Sequence, residues 1–134
     1  ECPDFFELDN NYILICSPQG IEIEGDKYHN KYQSGYFIGS YNLQNHEFKH
    51  NEFAELDRGF EFYAPQTTID SKGRRLMSAW MGIPEEDDQP TLVYNWLHAL
   101  TLVRELKIKN GRLYQYPVEE LLKYTRLAVK LKLN

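Results

Sequence analysis

Apolar and polar residues alternate along most of this chain in short runs cut by turn formers, the period of strands rather than of helices. Glu1–Leu8 and Tyr12–Ser17 read as two strands joined at Asp9-Asn10-Asn11, and Pro18-Gln19-Gly20 closes the second. Residues 21–34 are polar and irregular, which predicts a loop. Gly35–Leu43 resumes the alternation. Gln44-Asn45-His46 then turns the chain into Glu47–Phe48, and Glu52–Leu56 completes a set of four strands. A second set follows. Phe62–Ile69 and Arg74–Met81 flank Asp70-Ser71-Lys72-Gly73, a hairpin turn by composition. Pro84–Pro90 is an acidic loop, read as a solvated turn. Trp96–Leu102, Arg104–Ile108 and Leu113-Tyr114-Gln115 supply further strands, the last two joined by Asn110-Gly111, a type I′ signal. From Pro117 the period changes. Val118, Leu121, Leu122, Leu127 and Val129 recur near helical spacing, and Glu119 and Glu120 suit the positive end of a helix. The pattern predicts an amphipathic helix over Val118–Leu131 behind an all-β, antiparallel body with two groups of four strands.

At 134 residues the chain fits one domain with a modest core. Ten Tyr, seven Phe and two Trp suit strands, and they also suit a surface that covers the apolar faces of sugar rings. A net charge of −5 argues against nucleic acid as a partner. Lys123, Arg126, Lys130 and Lys132 near the C-terminus read as a solvated helix face. In a hairpin turning at Asp9-Asn10-Asn11, Cys16 lies nearer Asp4 than Cys2, so the two cysteines are expected to be free thiols. No Cys or His stands at metal-ligand spacing, so no metal is expected. Free thiols and the lack of a visible signal or membrane-spanning segment suggest a cytoplasmic protein with no membrane partner.

Three segments carry more specific information: Glu1-Cys2-Pro3-Asp4; Arg58-Gly59-Phe60-Glu61-Phe62-Tyr63-Ala64-Pro65-Gln66; and Leu100-Thr101-Leu102-Val103-Arg104-Glu105-Leu106. In this order they resemble glycoside hydrolase family 32, and within it the bacterial sucrose-6-phosphate hydrolases of the β-fructofuranosidase or invertase-like type. The resemblance implies antiparallel four-stranded blades of a five-bladed β-propeller. Residues 1–117 would form about two blades from the last part of that propeller, and 118–134 the helix leaving it. It implies a retaining hydrolase acting on sucrose 6-phosphate or sucrose without a cofactor. Glu1 would be the general acid/base. Cys2 and Asp4 would position it or contact substrate, and Tyr63 and Trp80 match positions near the substrate pocket.

The family's nucleophile, in an Asn-Asp-Pro-Asn-Gly-type motif, and its second Asp, in an Arg-Asp-Pro motif, have no counterpart here; the chain alone is therefore expected to be inactive. Glu1 and Asp4 cannot be that catalytic pair themselves, because they stand three apart on one strand and so face opposite ways. Two departures from the family pattern stand out. Glu61 replaces a common Asp, and Val103 replaces a common Pro, which restores a backbone donor for strand pairing. Arg104 and Glu105 read as a structural pair in preference to pocket lining, and Lys72, Arg74 and Arg75 as a hairpin tip in preference to a phosphate site. The other reading of the chain is a non-catalytic sugar-binding or structural β module. In either case blades cut from a closed ring expose strand edges, so self-association is expected.

Overall fold

The alternation resolves into two antiparallel sheets. The computed structural model describes residues 1–59, 61–86 and 88–125. The first sheet holds β1 (Asp4–Leu8), β2 (Asn11–Cys16), β3 (Gly35–Asn42), β4 (Glu47–His50) and β5 (Ala54–Glu55). The second holds β6 (Tyr63–Ile69), β7 (Arg75–Met81), β8 (Ala99–Leu100), β9 (Arg104–Lys109) and β10 (Arg112–Pro117). Within each sheet the pairing runs up and down between strands adjacent in sequence, apart from one split strand in each, as in a propeller blade.

Each sheet is a four-stranded blade with one strand split in two. β4 and β5 both pair with β3, and β8 and β9 both pair with β7. The cause is the same at both breaks: a side chain replaces a backbone acceptor. Asn51 N–H donates to the Ile38 carbonyl at 2.9 Å, and Asn51 Oδ1 accepts from Ile38 N–H at 2.8 Å. Thr101 N–H donates to the Ala79 carbonyl at 2.8 Å, and Thr101 Oγ1 accepts from Ala79 N–H at 3.1 Å. No ladder partner is lost, yet the strand is free to bend there.

The turns follow their residues. Asp9 and Asn10 take φ of 50° and 57°, and Asn110 and Gly111 take 52° and 70°, so both hairpins close through two left-handed residues. The predicted strand Trp96–Leu102 shrinks to Ala99–Leu100. Leu92–Tyr94 is instead a 3-10 helix, and Asn95 and His98, with φ of 61° and 62°, interrupt any extended run. The first strand begins at Asp4, not Glu1, because Cys2 has φ 47°. Val103 lies between β8 and β9 rather than in a ladder, and its carbonyl accepts from Val118 N–H at 3.2 Å. Where the terminal helix was expected to begin, Glu119–Tyr124 forms a 3-10 helix with both acidic residues in its first turn. The rest of that expected helix, from 126 onward, lies outside the described residues.

One core joins the blades. Ile13 and Ile15 of β2 face Ile38 and Tyr36 of β3 in register, and with Phe6 they meet Met77, Ala79, Leu106 and Leu113 of the second sheet. The other face of the first blade carries the aromatic surplus. Phe5 lies 5.6 Å from Tyr12 and 5.2 Å from both Tyr41 and Phe48. These rings pack on one another across strands, the ordinary use of aromatics in a sheet.

Candidate active site

Glu1 is held in place by its backbone. Its carbonyl accepts from Ser17 N–H at 2.9 Å, its amino group donates to the Ser17 carbonyl at 3.0 Å, and Ser17 is itself fully buried. The left-handed turn at Cys2 then sends the Glu1 side chain across to the second blade. There Glu1 Oε2 accepts from the Tyr63 hydroxyl at 2.5 Å, a contact between positions 62 residues apart. The hydrogen bond to Glu1 holds the Tyr63 proton and, with burial and the nearby negative charge, pushes the phenol up to about 12.

The chain reaches this geometry on the β6 side through a bulge. Tyr63 pairs with Trp80 but Gln66 pairs with Ser78, so three steps on β6 match two on β7. Pro65 has no N–H to give the ladder, and Ala64 takes φ 49°, which turns Tyr63 towards Glu1. The Tyr63 ring sits 5.9 Å from Trp80, and Trp80 meets His98 edge-on at 4.9 Å. Gly82 makes that packing possible: a Cβ there would come within 2.6 Å of the His98 ring and 2.7 Å of Trp80 Nε1. Tyr32, from the 17–34 loop, lies 4.9 Å from Tyr63. Glu1 and Cys2 are exposed, so the site is an open aromatic wall with a carboxylate at its edge.

Asp4 sits differently from its neighbours in the motif. Its Oδ2 accepts from both Thr67 N–H at 2.8 Å and Thr67 Oγ1 at 2.6 Å, and so ties β1 to β6. The strand argument that Glu1 and Asp4 must face apart fails. Glu1 lies outside β1, and both carboxylates reach β6. They meet different partners there, Glu1 the Tyr63 hydroxyl and Asp4 both donors of Thr67. Cys2 offers its carbonyl to Gln66 Nε2 at 3.4 Å, and both cysteines are free thiols. Burial is the main influence raising the Cys16 thiol.

A cleft of about 490 Å³ opens on the stretch before Tyr63, lined by Asp57, Glu61, Phe62, Arg104 and Gln115 among others; Glu1 is not part of its lining. Burial raises the Glu61 carboxyl, Glu86 adds to the rise, and His98 opposes it. Arg104 does not pair with Glu105. It donates to Asp57 at 2.6 Å and Gln115 at 2.7 Å and lies 4.8 Å over the Phe62 ring, while Glu105 pairs with Lys107 at 3.0 Å. Two charged strand neighbours point to opposite faces, which is why each finds another partner. The hairpin-tip cations are engaged structurally. Lys72 and Arg74 bond Glu119 and Glu120, and Arg75 bonds Thr67 and stacks over Phe6.

Residues 1–117 match the model of the glycosyl hydrolases family 32 N-terminal domain. The chain belongs to this family. It is 47% identical to the sucrose-6-phosphate hydrolase of Bacillus subtilis (strain 168), over all of this chain and 28% of that protein. It is 50% identical to that of Salmonella typhimurium, over 90% of this chain and 26% of the relative. Among solved structures, a Bombyx mori GH32 beta-fructofuranosidase superposes with a TM-score of 0.83 at 40% identity, covering 92% of this chain and 26% of the enzyme. The sucrose-6-phosphate hydrolase of Lactobacillus gasseri gives 0.79 at 35% identity over 92% and 26%. A mutant of the Bombyx mori enzyme is known in complex with sucrose. The chain thus spans about a quarter of the length of these relatives. Tyr32 and His98 escaped sequence reasoning, and Glu85 was read only as part of a solvated acidic turn. Tyr32 lies in a loop with no hydrophobic period, and His98 sits where a strand was expected.

Proposed function

We propose that this chain carries the acid/base side of a retaining β-fructofuranosidase site that cleaves sucrose 6-phosphate or sucrose. The observation that carries the reading is the Glu1 carboxylate bonded to the Tyr63 hydroxyl beside the Trp80 ring. The names of the relatives support the substrate class. In this reading Glu1 protonates the oxygen that leaves with glucose, then takes a proton from the water that releases fructose. Tyr63 fixes which Glu1 oxygen is held and leaves the other free for the leaving group. Cys2 and Trp80 border the fructosyl unit. The nucleophile and the second Asp would come from the motifs this chain lacks, so the chain alone does not hydrolyse fructosides.

The decisive experiment is Glu1→Gln in the full-length protein. Substrate affinity should persist while turnover falls by about a hundredfold or more. Unchanged turnover would overturn the assignment. Sugar binding by calorimetry, with no turnover in the unaltered full-length protein, would favour a binding module instead.

A further inference from the structure

The acidic loop after β7 reaches back to the aromatic wall through one side chain. The Tyr32 hydroxyl donates to the Glu85 carboxylate, and Lys31 Nζ lies 3.3 Å from the same carboxylate. The Tyr32 ring packs on Tyr63 at 4.9 Å with its plane tilted by 32°. The Tyr63 hydroxyl in turn donates to Glu1 at 2.5 Å. Four residues from four separate segments thus form one line of contacts: Glu85, Tyr32, Tyr63, Glu1.

The loop that brings Tyr32 is anchored independently. Tyr28 N–H donates to Glu55 Oε1 at 3.0 Å, Asn30 Nδ2 donates to the Gly59 carbonyl at 2.8 Å, and buried Gln33 donates to the Asn30 carbonyl at 2.7 Å. The electrostatics agree with the geometry. The Tyr32 phenol is raised chiefly by its hydrogen bond to Glu85, with burial and the charges of Glu85 and Glu1 adding to the rise. Glu85 is lowered, first by that same bond. A tyrosine ring that loses a packing neighbour can swing about its side-chain torsions. Trp80 lies 5.9 Å from the Tyr63 ring and Tyr32 lies nearer, at 4.9 Å, so Tyr32 is the closer of the two rings that pack on it.

We propose that Tyr32, clamped by Glu85, is a positioning residue that holds the Tyr63 hydroxyl on Glu1, and so acts on the proton delivered to the leaving group. The inference rests on Glu1 as acid/base. It gives the acidic loop a role in the chemistry although neither Tyr32 nor Glu85 need touch substrate.

The test uses leaving groups in the full-length protein. Sucrose loses a poor leaving group that needs the proton, whereas 4-nitrophenyl β-fructofuranoside loses one that departs with little help. Both are read as kcat/KM, which reports on steps up to bond cleavage. Tyr32→Leu should lower kcat/KM for sucrose by about tenfold or more and that for the nitrophenyl substrate much less. Glu85→Ala should do the same to a smaller extent, and Glu85→Gln, which keeps an acceptor, should restore part of the loss. Equal losses on both substrates, or no loss with Glu85→Ala, overturn the proposal. Because Glu85 is exposed, its variants keep the test valid should Tyr32→Leu misfold. Failure of the underlying reading looks different: Glu1→Gln would then turn over sucrose like the unaltered protein.

Discussion

The Asp4–Thr67 contact gives the sharpest stability test, because it separates a tie between blades from a sugar contact. One carboxylate oxygen takes two donors, at 2.8 and 2.6 Å, and both belong to the strand that carries Tyr63. Thr67 Oγ1 also accepts from Arg75 Nη1 at 3.2 Å. Hydrogen bonds to a charged group contribute about 1.5–3 kcal/mol each, and two sharing one oxygen fall short of additivity. Asp4 and Thr67 are both half-buried. Asp4→Ala should therefore cost about 3 kcal/mol and Thr67→Val about 1.5 kcal/mol, the backbone bond surviving in the second. Asp4→Asn keeps an acceptor oxygen without the charge and should cost about 1 kcal/mol. The assay is equilibrium urea unfolding of the chain, followed by tryptophan fluorescence, as a double-mutant cycle. Asp4→Ala with Thr67→Val should show a coupling of about 1.5 kcal/mol. Additivity within about 0.5 kcal/mol would show that the contact holds nothing together.

Further outcomes follow from the Glu1–Tyr63 bond, the Glu120 ion pairs and the exposed apolar surface. Tyr63 should remain protonated well above the ordinary phenol range, up to about 12, and Glu1→Gln should bring its ultraviolet titration back down; identical titrations would refute the hydrogen bond. A raised phenol gives stability that is present below pH ~10 and lost as pH rises through the folded value, so Glu1→Gln should also flatten alkaline unfolding. Glu120 is lowered to about 2, first by Arg74 and then by Lys72. Its contribution should be present above the ordinary carboxylate range and disappear as pH falls towards that value, so a Tm-against-pH series should flatten in Glu120→Gln. Exposed Tyr94, Leu100, Leu102 and Leu122, together with the open strand edges, should drive self-association; light scattering that shows a monomer at high concentration would rule this out.

The fold was largely legible because its signals are local. Alternation places Ile13, Ile15, Ile38 and Met77 inward, and Asp9-Asn10 and Asn110-Gly111 fix their turns by backbone preference alone. The split strands were not legible, since they depend on Asn51 and Thr101 offering side-chain oxygens to partners far away in sequence. The stretch around Trp96 misled for a related reason. Its apolar residues satisfy the strand pattern, but left-handed Asn95 and His98 break the extension.

At the site, the motifs singled out Glu1, Tyr63 and Trp80, which lie together in the fold, but did not say how they meet. Strand alternation even argued against Glu1 and Asp4 both reaching β6. What defeats it is a pair of kinks in non-glycine residues: Cys2 at φ 47° beside Glu1, and Ala64 at φ 49° beside Tyr63. Left-handed conformations of this kind cost about 1–3 kcal/mol each and persist only where the surroundings hold them. Here the surroundings are identifiable. Ser17 holds the Glu1 backbone, Thr67 holds Asp4, and the Gln66 side chain spans from Pro65 to the Cys2 carbonyl. Neither cysteine nor alanine signals a left-handed backbone in sequence. One kink lies next to each partner of the Glu1–Tyr63 bond, at the start of β1 on one side and at the bulge of β6 on the other. Asp4, which ties β1 to β6, therefore stands three positions from the carboxylate whose reach to Tyr63 depends on the spacing of those strands.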